Sequence, residues 1–99
     1  MSFNVRYTKS AKEDITTLYQ FLLEQDVDSG KRAYDAIAKI TDFLEEFPFS
    51  CRKADDNNPF LREIIISFGN SGYVALFEIE NNNTVTILAV RHQREDDYH

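Results

Sequence analysis

The chain is predicted to fold as an α+β domain of order β-α-α-β-β-β, with a helical hairpin packed on a curved, mainly antiparallel four-stranded sheet. Three observations carry that expectation. Two apolar stripes at helical spacing follow one another in the first half. The second half shifts to strand-length apolar runs cut by two tight turns. A short alternating segment precedes both.

Phe3, Val5 and Tyr7 alternate with Asn4 and Arg6, the two-residue period of a strand with one buried face. Ser10-Ala11-Lys12-Glu13 fits a capping box, and Ala11, Ile15, Leu18 and Leu22 then give a helix over about 10–25. Gln25 to Gly30 breaks the pattern and offers Asp28 or Ser29 as the next cap. Ala33, Ile37, Ile40, Leu44 and Phe47 form the second stripe, which Pro48 ends. The outward faces carry Glu13, Asp14, Lys31, Asp35, Lys39 and Asp42, read as solvation.

Residues 48–59, rich in Ser, Arg, Lys, Asp, Asn and Pro, are expected to form the one long loop. Strands follow over 61–68, 73–79 and 84–90, joined by Gly69-Asn70-Ser71-Gly72 and Glu80-Asn81-Asn82-Asn83, which makes a three-stranded meander. Ile64-Ile65-Ile66 and Val74-Ala75-Leu76-Phe77 are apolar at successive positions. Both sheet faces are therefore expected to be at least partly covered, either by curvature of the sheet or by another chain.

Ninety-nine residues make one domain, 1–99, too short for an interdomain cleft. The net charge is −6, with 9 acids against 6 bases before residue 51 and 8 against 5 after it. Bulk positive charge for nucleic acid is absent, so direct nucleic-acid binding is not expected. The lone Cys51 cannot form an internal disulfide, and no Cys or His pair stands at zinc spacing. No apolar run is long enough to span a membrane. The expectation is a cytoplasmic protein with no metal, no cofactor and no membrane contact.

The last strand and tail concentrate the polar chemistry, because Thr84–Val90 runs straight into Arg91, His92 and Arg94, then Glu95-Asp96-Asp97 and Tyr98-His99. Cutting RNA at its 2′-hydroxyl needs a base, a cation for the phosphate and an acid for the leaving oxygen. Arg62, with Arg91, His92, Arg94, Glu95 and Tyr98 on and after the last strand, has the right chemistry if the two strands lie close together. The plain alternative is that Arg91 and Arg94 pair with the neighbouring acids or with an acidic partner, and that His92 is a hydrogen-bonded strand end.

Leu61-Arg62-Glu63-Ile64, the turn Phe68-Gly69-Asn70-Ser71-Gly72-Tyr73, and Ile87-Leu88-Ala89-Val90-Arg91-His92-Gln93-Arg94-Glu95 resemble ParE toxins of the ParE/RelE toxin–antitoxin superfamily. Tyr7-Thr8-Lys9-Ser10-Ala11 before a helix is similar to the family's opening. The resemblance spans nearly the whole chain. It implies a toxin neutralised by a cognate antitoxin, whose extended C-terminal segment wraps over the sheet and helices. ParE-type members poison DNA gyrase, whereas RelE-type members cut messenger RNA on the ribosome, and one fold hosts both. The nucleases of the superfamily are strongly basic, and some end in His-Tyr where this chain ends Tyr98-His99.

The expectation is a gyrase-directed toxin that acts by binding. Arg91, His92, Arg94, Glu95 and Tyr98 are the expected target contacts. Arg62, Ile64, Tyr73, Arg91 and Arg94 are the expected antitoxin contacts, with the arginines meeting antitoxin acids. The alternatives are a ribosome-dependent endoribonuclease using Arg62, Arg91 and His92, or an inactive relative retained for antitoxin binding and operon autoregulation.

Overall fold

A computed structural model describes residues 2–68 and 71–92. Strand β1 (Asn4–Tyr7) leads into helix α1 (Lys9–Gln25) and helix α2 (Val27–Glu46). A 3-10 turn (Pro48–Ser50) and strands β2 (Arg52–Asp55), β3 (Asn58–Phe68), β4 (Ser71–Asn81) and β5 (Thr84–His92) complete the order. The sheet order is β1-β5-β4-β3-β2, with β1 parallel to β5 and every other pair antiparallel.

The helices begin earlier than the local patterns indicate. Thr8, not Ser10, caps α1, and its hydroxyl oxygen accepts from the Ala11 N–H at 3.0 Å. The same hydroxyl donates to the Leu88 carbonyl at 3.1 Å, so a tertiary partner chooses between two caps that sequence alone allows. Asp26, not Asp28 or Ser29, caps α2, accepting from the Ser29 N–H at 2.8 Å and the Ser29 hydroxyl at 2.9 Å. Gly30 lets the two helices pack tightly where they join: a Cβ there would lie 2.5 Å from Leu23 Cδ2.

The helical stripes meet one face of the sheet. Ala11, Leu18, Leu22, Ala33 and Leu44 pack on Ile66, Ala75, Phe77, Ile79, Val85, Ile87 and Val90. Phe77 and Leu44 are fully buried, and burying a side chain of that size contributes about 1.5–3 kcal/mol. Phe47 departs from its expected place in the stripe. As the C-cap of α2 it leaves helical geometry, with φ −131° and ψ 46°, and its ring is 56 % exposed.

The expected four-stranded sheet is a five-stranded one, because the expected loop over 48–59 holds the 3-10 turn, all of β2 and the start of β3. Arg52-Lys53-Ala54-Asp55 has no apolar alternation to betray a strand. It is an exposed edge held by its pairing to β3 and by an ion pair of 2.7 Å between Arg52 and Glu63. At the far end of the sheet, β4 and β5 join through the two residues Asn82 and Asn83.

Candidate partner-binding site

The end of β5 is shaped by a register shift. Leu76 pairs with Ala89 but Phe77 pairs with Ile87, so Leu88 is an extra residue. That bulge lets both Ile87 and Val90 face the helices. Strand β1 stops at the same level, where the Thr8 N–H donates to the Ile87 carbonyl at 3.0 Å. Beyond it α1 takes over the edge, and the Asp14 carboxylate accepts from the Val90 N–H at 2.9 Å. Asp14 is thus half-buried and structurally engaged, a correction to its reading as part of the solvated face.

Arg91 and His92 stay together at this point. Arg91 pairs with Val74 and is exposed, while His92 pairs with Tyr73 and is half-buried, and both line one cleft against α1. The Tyr73 and His92 rings meet edge to face, with centroids 5.0 Å apart. With Asp14, Thr17, Phe21, Val90 and Arg91 they border a cleft of about 400 Å³. Tyr73 is a core residue, 7 % exposed, and Ile64 packs against the same core.

Arg62 has a different employment. Its Nε donates to the Pro59 carbonyl at 2.7 Å, and its Nη1 donates to the carbonyls of Cys51 at 2.8 Å and Phe49 at 3.3 Å. The guanidinium carbon stands 5.5 Å from the centre of the Phe49 ring. Arg62 therefore clamps the 3-10 turn and β2 onto β3. It holds Cys51 buried, and burial pushes that thiol above its ordinary value while the Arg62 charge pulls weakly the other way.

Arg62 does not converge with Arg91 and His92. It pairs with Phe77, four residues along β4 from Tyr73, the partner of His92. The separation is roughly 13 Å along the strands and 10 Å across them. The expected contact residues thus divide between an internal clamp, the core and the end of β5. Arg94, Glu95 and Tyr98 lie outside the described residues.

A further surface was not expected from the sequence. The two helices and β1 enclose an apolar groove of about 690 Å³, lined by Tyr7, Ile15, Tyr19, Tyr34 and Ile37, with Lys12 and Asp42 at its border. Tyr34 is 66 % exposed at its mouth, and the Tyr7 hydroxyl bonds Thr41 at its base. An exposed tyrosine on an otherwise polar helix face was the available signal. Among the described residues there is no group of three or more His, Cys, Asp or Glu that could hold a metal ion, and no helix is long and apolar enough to cross a membrane.

An apolar groove and a strand end bearing a cation and a histidine are surfaces on which another molecule can seat. Comparison with known proteins gives the chain a lineage. The toxin RelE3 of Caulobacter vibrioides is 31 % identical over 85 residues, covering 86 % of this chain and 88 % of that toxin. The toxin RelE1 of the same organism is 33 % identical over 79 residues, covering 80 % and 82 %. A chain of the chromosomal ParDE toxin–antitoxin system from P. aeruginosa shares the fold, with a TM-score of 0.63 and 15 % identity, over 92 % of this chain and 96 % of that one. Residues 5–97 match the profile of the ParE toxin of the type II toxin–antitoxin system parDE. With nearly its whole length inside that profile, the chain belongs to the ParE toxin family.

Proposed function

We propose that this toxin acts in the cytoplasm by binding DNA gyrase and stalling it with cleaved DNA, and that a cognate antitoxin neutralises it by wrapping an extended segment over the helices and sheet. The observation that favours binding over catalysis is the occupation of Arg62. Its guanidinium is spent on three backbone carbonyls and a phenyl ring, and the sheet register keeps it away from His92. A net charge of −6 points the same way, since a ribosome-directed nuclease must approach a dense array of phosphates.

The groove between α1 and α2 suits the apolar side of an amphipathic antitoxin segment, and the exposed Arg91 suits its acids. The RelE names of the two relatives favour the second reading, an endoribonuclease acting on translated messenger RNA through Arg62, Arg91 and His92.

The direct test is a supercoiling reaction with purified gyrase, relaxed plasmid and ATP. Adding the full chain should accumulate linear, cleaved plasmid. A chain lacking residues 93–99 should bind antitoxin and leave gyrase active. Unimpaired supercoiling in the presence of the full chain, with messenger RNA cut in a translation extract, would establish the second reading instead.

A further inference from the structure

The end of the molecule away from Arg91 carries an aromatic surface that the proposed function does not use. Phe43, Phe47, Phe49 and Phe60 are 40 %, 56 %, 51 % and 50 % exposed. Their rings are organised: Phe43 and Phe47 pack at 5.6 Å, and Phe49 and Phe60 meet edge to face at 6.3 Å. The Arg62 clamp on Phe49 fixes the second pair on the sheet. Exposed aromatic rings held in ordered pairs offer a surface that another chain can bury.

The surroundings of these rings are acidic. Asp42, Glu45 and Glu46 sit in the last turns of α2, where the helix dipole already presents negative charge, and no basic residue occupies the last turn. That arrangement is unfavourable within the chain alone. On the sheet side, Phe60 shares a cleft of about 280 Å³ with Glu78 and Glu80. The Phe3 N–H donates to the Glu45 carbonyl at 2.7 Å and the Asn4 N–H to the Asn83 carbonyl at 2.7 Å, which sets the end of α2 beside the β4–β5 turn. Among the described residues, Arg62 is held by its carbonyls and Arg52 by Glu63, while Lys53 and Arg6, the latter paired with Thr86 whose hydroxyl bonds Glu80, are exposed cations near these carboxylates.

We propose that this surface docks a cationic protein segment, one that sets lysines or arginines beside apolar side chains. The carboxylates of α2 and β4 would take its charges, relieving their conflict with the helix dipole, and the phenyl rings would take its apolar side chains and the faces of its cations. Arg62 over Phe49 shows within this chain that one of these rings already seats a guanidinium. The surface lies at the opposite end of β5 from Arg91, about 25 Å away at strand spacing, and its charge is of opposite sign. It would therefore select a segment unlike the acidic one proposed to meet Arg91.

The test uses the full chain labelled with fluorophenylalanine and three short probes: a peptide alternating lysine and leucine, its glutamate-for-lysine counterpart, and oligolysine. The lysine–leucine peptide should bind and shift the fluorine signals of Phe47, Phe49 and Phe60, with oligolysine about tenfold weaker and the glutamate peptide silent. Phe47→Ala should weaken binding about tenfold, and the exposed Glu46→Gln, which leaves the fold untouched, severalfold. Equal binding of the glutamate peptide overturns the proposal, as does affinity indifferent to both substitutions. A self-associated wild type that Phe47→Ala converts to monomer also overturns it, because the occupant would then be a second copy.

Discussion

The Asp14 carboxylate on α1 and the Val90 N–H on β5 are joined at 2.9 Å, seventy-six residues apart in sequence. This bond ties the first helix to the strand that carries Arg91 and His92, at the level where β1 no longer covers the sheet edge. Asp14→Ala should cost about 1–3 kcal/mol, the penalty for leaving a partly buried amide without its acceptor. Asp14→Asn, whose side-chain oxygen can still accept, should recover much of it. Hydrogen exchange at Val90, faster in the alanine variant and near wild type in the asparagine variant, is the measurement that checks this.

Arg62 is expected to matter for stability before it matters for any partner. Arg62→Ala removes three hydrogen bonds to carbonyls and a ring contact, and should destabilise the chain by about 2 kcal/mol. Arg62→Lys should recover less than half, since an ammonium cannot reproduce the planar fork. Denaturant unfolding measures both, and fluorescence of a reporter at Phe49 would show the 3-10 turn loosening.

The Asp26 cap gives an acid-side prediction. The Ser29 N–H, first, and the Ser29 hydroxyl hold its carboxyl below the ordinary value of 3.8. A lowered folded value means the contribution is present above 3.8 and is lost as pH falls through the lower folded value. The thermal midpoint of the wild type should therefore drop in that acid window. Asp26→Asn, a good cap without a titrating group, should flatten that part of the profile.

Cys51 gives the alkaline counterpart. Burial raises its thiol above 9.0, so its contribution is whole below 9.0 and is lost as pH rises through the higher folded value. Cys51→Ala should weaken the alkaline fall in stability. Native protein should react slowly with iodoacetamide at neutral pH, and Arg62→Ala should react faster because the bond that ties the Cys51 carbonyl to the sheet is lost and the segment loosens.

Much of this fold could be read from residues whose partners are regular neighbours. Ala11, Leu18, Leu22, Ala33 and Leu44 repeat at helical spacing and are buried where that spacing puts them. The meander was legible because β3, β4 and β5 are apolar and follow one another closely in sequence. What escaped depended on contacts distant in sequence. The start of α1 was settled by the Leu88 carbonyl, which no local rule can weigh against Ser10. Strand β2 has a polar sequence and exists through its pairing to β3.

The site was less legible than the fold, for the same reason. Arg62 looked like a free cation because its acceptors are main-chain carbonyls, which carry no sequence signature. Arg91 and His92 read as one cluster because they are adjacent, and they do line one cleft, whose other wall, Asp14, Thr17 and Phe21 of α1, is distant in sequence. Tyr73 read as a contact residue and lies in the core, since a tyrosine can pack its ring on His92 and Val90's side of the sheet as readily as meet a partner.

Gyrase poisoning is tested by a brief induction of the toxin in a bacterial host without antitoxin, following incorporation of labelled thymidine and labelled methionine together. A toxin that stalls gyrase should cause a prompt loss of thymidine incorporation while methionine incorporation continues. Methionine incorporation falling first, with thymidine incorporation sustained, would contradict gyrase poisoning and place the ribosome, not gyrase, at the end of the pathway.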